Sequence, residues 1–152
     1  MSNAEIHPPH PGVENSVTVL AVGSGQDYQP SLREVFRKTN WQLFLSEHLQ
    51  AAEEWLARHR TAVVLCERQL ADGTWTDLFH HLQSMEEAPL LIVTARDADD
   101  ALCAEVLNLG GYDVLAMPFE STEVVRVISM AWLQWKRSPN RAAKDRLLCA
   151  TA

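Results

Sequence analysis

"SVTVLAVGSGQDYQPSLREVF", residues 16–36, passes from an apolar run into a helix-like stretch across Gly23-Ser24-Gly25. From Val17 to Val22 only Thr18 is polar, and a β-branched run without alternation is the pattern of a strand buried on both faces. Pro30 then opens a helix over "SLREVFRKTN", with Leu32, Val35 and Phe36 spaced to face inward and Asn40 near its end. A strand needing cover on both sides, followed by an amphipathic helix, is half of a parallel crossover unit. Glycines at such a junction can wrap a phosphate. Neither Gly-x-x-x-x-Gly-Lys-Ser/Thr nor Gly-x-Gly-x-x-Gly is present, so a tight turn leaving the sheet is the first reading and an anion pocket the alternative.

The same unit repeats along the chain. "WQLFLS" (Trp41–Ser46) reads as a second strand, and "SEHLQAAEEWLARHR" as a helix capped by Ser46, with Leu49, Ala52 and Trp55 or Leu56 on its apolar face. "TAVVLC" (Thr61–Cys66) is a third strand, followed by a polar loop with a turn at Asp72-Gly73 and a helix over "TDLFHHLQSM". "APLLIVTA" gives a fourth strand, and "DADDALCAEVLNLG" a helix that begins with acids and ends at Gly110. "YDVLAM" is the fifth strand, stopped by Pro118, and "STEVVRVISMAWLQWKR" the last helix. Five short apolar strands alternating with five helices predict an α/β fold: a doubly wound parallel sheet, order 2-1-3-4-5, with right-handed crossovers and helices on both faces. The expected boundaries are a mobile proline-rich arm at 1–15, one domain at 16–137 and a weakly patterned tail at 138–152. Within the arm, Ser2-Asn3-Ala4 reads as an expression remnant.

Composition narrows the function classes. The 152 residues, 47% hydrophobic, are enough for a globular domain with a real core. A net charge of −7 gives nucleic-acid binding no electrostatic support. No apolar run reaches the roughly 18–20 residues of a membrane span, and the N-terminus lacks the features of a secretion signal. Cys66, Cys103 and Cys149 fit neither a disulfide framework nor a zinc site, and a reduced, cytoplasmic setting is expected. His80 and His81 are helix neighbours about 100° apart and cannot chelate as an i, i+4 pair would.

Ligands of such a sheet bind outside the carboxyl ends of its strands, here the loops Gly23–Asp27, Glu67–Gly73, Thr94–Asp97 and Met117–Phe119. Across these loops "VVLCERQLADGTW", "LLIVTARD" and "GGYDVLAMPF" together resemble the receiver domain of two-component response regulators, over residues 16–137. The resemblance implies a flavodoxin-like signalling domain, and it also exposes departures from that family's pattern. Gly23 and Ser24 stand at the positions of the acidic pair that helps hold magnesium. Glu67 stands at the phosphoacceptor aspartate, Met117 at the lysine and Val114 at the switch aromatic; Thr94 retains the switch hydroxyl. Magnesium requires hard oxygen ligands, and phosphoryl transfer requires fixed positive charge. The expectation is therefore a degenerate receiver with no cofactor, in which Glu67 mimics a phosphoryl charge or holds Thr94.

Three functions are weighed. The first is a non-enzymatic protein-interaction module that works without phosphorylation. The second is a receiver phosphorylated on Glu67 by a histidine kinase. The third is a small anion- or nucleotide-binding α/β domain, although flavin-sandwiching aromatics and a nucleophile–base pair are not evident. The last helix carries more apolar residues than one packed stripe requires, so Val124, Ile128, Trp132 and Trp135 are candidates for a protein partner or self-association on the fourth helix, fifth strand and fifth helix. Trp75 is a further candidate for an exposed anchor.

Overall fold

The computed structural model describes residues 17–137; the expected arm and tail lie outside the described residues. The chain order is β1 (Thr18–Val22), α1 (Tyr28–Arg37), β2 (Gln42–Ser46), α2 (Leu49–Leu56), β3 (Val63–Glu67), a two-residue pair β4 (Gln69–Leu70) and β5 (Gly73–Thr74), α3 (Trp75–Gln83), β6 (Leu90–Ala95), α4 (Asp100–Leu109), β7 (Asp113–Ala116) and α5 (Ser121–Lys136). The large sheet has the order β2-β1-β3-β6-β7, with every pairing parallel. Counting only those five strands, this is the expected 2-1-3-4-5. The antiparallel β4–β5 hairpin was not expected; it folds the polar loop back across its Asp72-Gly73 turn.

Period-two alternation along the buried strands sorts their side chains between two cores. Val19, Ala21, Val63, Leu65, Ile92 and Leu115 face α1 and α5, while Leu20, Val22, Val64, Cys66, Leu91 and Val93 face α2, α3 and α4. Helix α1 begins two residues before Pro30, which loses nothing there because amides of a first turn have no intrahelical partner. Its buried residues are the expected Leu32, Val35 and Phe36, and also Tyr28.

The starts of α2 and α3 differ from expectation in the residues that set them. Ser46 ends β2, and its hydroxyl donates to the His48 carbonyl instead of capping α2. The cap comes from the hairpin turn: the Asp72 carboxylate accepts from the Leu49 amide at 2.8 Å and the Gln50 amide at 3.1 Å. Those bonds, the Leu49 one foremost, hold the Asp72 carboxyl below the usual carboxylate range. Trp75 is the first residue of α3 and is buried, so it is core and not an exposed anchor. A Thr74–Asp77 capping box sets that start. At the far end of α4, Gly110 has φ +113°, the left-handed conformation of a helix C-cap. The Phe79 ring of α3 would lie 2.7 Å from a Cβ placed there.

Helix α5 buries Val124, Val127, Ile128, Ala131 and Trp135 in one stripe against the sheet. Three of the four surface candidates, Val124, Ile128 and Trp135, are therefore corrected to core. The i, i+4, i+7, i+11 spacing from Val124 is that of the face turned toward the sheet. Trp132 is half-buried, with the Lys136 ammonium 4.4 Å from its ring centre.

Candidate functional site

The four predicted loops do meet at the carboxyl edge of the sheet. A polar cleft of about 360 Å³ opens there, lined by Glu67, Arg68, Thr94, Arg96, Asp97 and Met117. Parallel pairing places Glu67 beside Thr94, and Thr94 beside Leu115. Met117 is half-buried, follows β7 and precedes Pro118 through a cis peptide bond. Val114 is nearly buried on the opposite core face.

Glu67 turns toward the end of β1. One carboxylate oxygen accepts from the Ser24 amide at 2.7 Å and the Gly25 amide at 3.1 Å. Two successive backbone amides aimed at one oxygen form a small anion-binding concavity, and the chain's own carboxylate sits in it. The Gly-Ser-Gly turn thus binds an anion supplied from within. Gly23 donates its amide to the Ser46 carbonyl at 2.9 Å, which holds the turn to the sheet. Asp27 faces Arg96 at 3.7 Å on the exposed rim.

Thr94 is fully buried, and its hydroxyl donates neither to Glu67 nor to a turn. Its partner is the Tyr28 hydroxyl at 3.4 Å. Tyr28 comes from the first turn of α1, crosses the end of the sheet and packs edge-on against Phe119, ring centres 5.9 Å apart. Burial raises the Tyr28 phenol well above its ordinary 10.0. Its neighbour Cys66 is buried, and its thiol is pushed up first by burial and then by the Glu67 charge. Tyr28 is the residue that sequence reasoning missed. A signal for it existed: Gly23, at the end of a fully buried strand, leaves a volume that a close-packed interior must fill from nearby.

Away from this edge, Leu107 (57% exposed) and Leu109 on α4, and Met130 and Leu133 (43%) on α5, are large, apolar and exposed. Met130 and Leu133 border a groove of about 560 Å³ with Leu90, Tyr112 and Trp135. His81 meets Glu53 at 3.4 Å between α3 and α2, and no group of three or more His, Cys, Asp or Glu among the described residues could hold a metal ion.

The comparison of folds decides what this arrangement is. The signal receiver domain of an HD domain-containing protein from Pseudomonas fluorescens Pf-5 superposes with a TM-score of 0.73 at 20% identity, covering 82% of this chain and 93% of that one. This chain has the response-regulator receiver fold. A second receiver structure, the beryllofluoride-activated NtrC4 receiver domain dimer, matches with a TM-score of 0.68 at 18% identity, over 78% of this chain and 98% of that one. In sequence, the receiver-like chain is 33% identical over 114 residues to the "Probable transcriptional regulatory protein TcrX" of Mycobacterium tuberculosis, covering 72% of this chain. It spans about half (47%) of that relative's length. No family model matches the chain. No helix among the described residues is long and apolar enough to cross a membrane.

Proposed function

We propose that this chain serves two-component signalling as an atypical receiver, a protein-interaction module that works without phosphorylation. The observation that carries this reading is the engagement of Glu67. Its carboxylate is committed to the Ser24 and Gly25 amides, where a competent site needs it free beside a cation. The donor set does not fit magnesium: Gly23 and Ser24 bring no carboxylate, and Asp27 is drawn to Arg96 on the rim. Met117 supplies no positive charge for the oxygens of a transferring phosphoryl group. A carboxylate fixed in an amide concavity is also a permanent substitute for a transient anion, which suits a constitutive surface.

The partner surface in this reading is α4, β7 and α5, now through Leu107, Leu109, Met130, Leu133 and the half-buried Trp132. Exposed apolar residues on the two helices that flank the edge strand β7 favour a protein or a second copy of this chain. That the NtrC4 receiver was solved as a dimer supports self-association as the first form to test. The net charge of −7 gives no support to nucleic acid as the partner of this domain.

Incubation with acetyl phosphate and Mg²⁺, followed by intact-mass measurement, tests the reading. The expected result is no phosphoryl adduct on the wild-type chain. An adduct that disappears in Glu67→Ala would replace it with phosphorylation on Glu67.

A further inference from the structure

Loss of acids alone would leave a receiver cleft open and hydrated. Here it is filled. A Cβ built on Gly23 would meet Tyr28 Cε2 at 2.5 Å and Cδ2 at 2.6 Å, and one built on Gly25 would meet the Tyr28 Cβ at 3.7 Å. The far end of the same side chain reaches Thr94, and one ring edge meets Phe119. Tyr28 therefore spans from the end of β1 across to the end of β6, passing the Cys66–Glu67 end of β3. It is 2% exposed.

We infer that Tyr28 is a built-in plug: its ring occupies the space beside the end of β1 where an acidic side chain helping to hold a cation would have to stand, and its hydroxyl bonds to Thr94. This deepens the reading above and rests on it, but adds a requirement of its own. A side chain at position 23 cannot enter the cleft while the ring is there, because the nearest ring atoms lie inside any permitted contact distance. Loss of the acid at position 23 and presence of the tyrosine are thus two faces of one packing solution. The hydroxyl of Thr94 is bonded to Tyr28 on the α1 side, which draws it away from the cleft mouth. Restoring the charged residues by themselves should consequently fail to restore a cation site.

The test compares two refilled variants. The first carries Gly23→Asp, Ser24→Asp, Glu67→Asp and Met117→Lys; the second adds Tyr28→Ala. Mg²⁺ titrations by calorimetry should show the second binding at least about tenfold more tightly than the first. Equal affinities, or tighter binding with the tyrosine present, would overturn the inference. Circular dichroism establishes that both are folded, and a second arm decides the matter if either is not. Wild-type sequence carrying Tyr112→Phe is labelled with 3-fluorotyrosine, leaving Tyr28 as the one probe. A single ¹⁹F resonance protected from a soluble gadolinium chelate is expected; broadening equal to that of free 3-fluorotyrosine would overturn the plug. Phosphorylation of the wild-type chain would instead remove the functional reading, while leaving both comparisons informative about Tyr28.

Discussion

Replacing Gly23 by alanine adds one methyl group at the junction of β1 and the Gly-Ser-Gly turn, and its cost can be worked from the packing. The new Cβ would lie 2.3 Å from a Glu67 carboxylate oxygen and 2.5 Å from the Tyr28 ring. Glu67 is the end of a flexible chain and can yield by giving up its amide bonds. Tyr28 is enclosed by Phe119, Thr94 and the sheet and cannot. Forcing a methyl group into such a site costs about 1–3 kcal/mol. Against this, alanine restricts the unfolded chain, a gain of about 0.4–1 kcal/mol where the backbone conformation is permitted. Gly23 has no positive φ, and its amide bond to Ser46 is available to alanine, so that gain applies. The net is a loss of roughly 1–2 kcal/mol, read as a melting point lower by roughly 3–10 °C for a domain of this size. Urea unfolding of Gly23→Ala, Glu67→Ala and the double variant then divides the cost between the two obstacles. At least about half should persist without the carboxylate, because the ring contacts remain. A Gly23→Ala protein as stable as wild type or more so would show that nothing lies over this glycine, and the account of the cleft would fall.

Asp72→Ala should cost about 1 kcal/mol by removing the cap of α2, whereas Asp72→Asn keeps most of it. Because the folded Asp72 carboxyl titrates below its ordinary 3.8, its contribution is complete above that value and disappears as pH falls toward the lower folded one; the stability gap between wild type and Asp72→Ala, followed by thermal melts, should close in that window. Leu107→Glu and Leu133→Glu should leave the unfolding free energy within about 0.5 kcal/mol of wild type while reducing any self-associated mass seen by light scattering. Trp135→Ala, only 7% exposed and with the Arg60 guanidinium 5.5 Å from its ring centre, should instead cost about 3–5 kcal/mol; reversal of these two outcomes would mean that α5 packs through a different face.

The architecture was legible because it is written in runs. Strands buried on both faces leave no polar alternation, and helices that cover them repeat apolar residues at three and four, as Leu32, Val35 and Phe36 do. The positions meeting at the carboxyl edge followed from that topology. What escaped depends on contacts between distant segments. Asp72 caps a helix that precedes it by more than twenty residues, and no local signal marks such a bond. Trp75 was legible after all, since Thr74-Trp75-Thr76-Asp77 has the spacing of a capping box and places the tryptophan one step inside the helix. Tyr28 lay hidden because its neighbours Gln26, Asp27 and Gln29 are polar, so the stretch reads as a loop. On α5 the apolar residues divide by angle and not by number. Val124, Ile128 and Trp135 fall on the packed arc, while Met130 and Leu133 lie off it.

Gly110 is constrained twice over, by its own backbone and by the phenyl ring of Phe79 lying across its bare α-carbon. Each constraint disfavours a side chain for a different reason, one torsional and one volumetric, so relief of either leaves the second in force. In a saturation library selected only for a folded product, this codon should stay fixed while its exposed neighbours Leu107 and Leu109 drift. Relatives too divergent for ordinary alignment could be anchored on that pairing of an aromatic in one helix with a missing side chain at the end of the next.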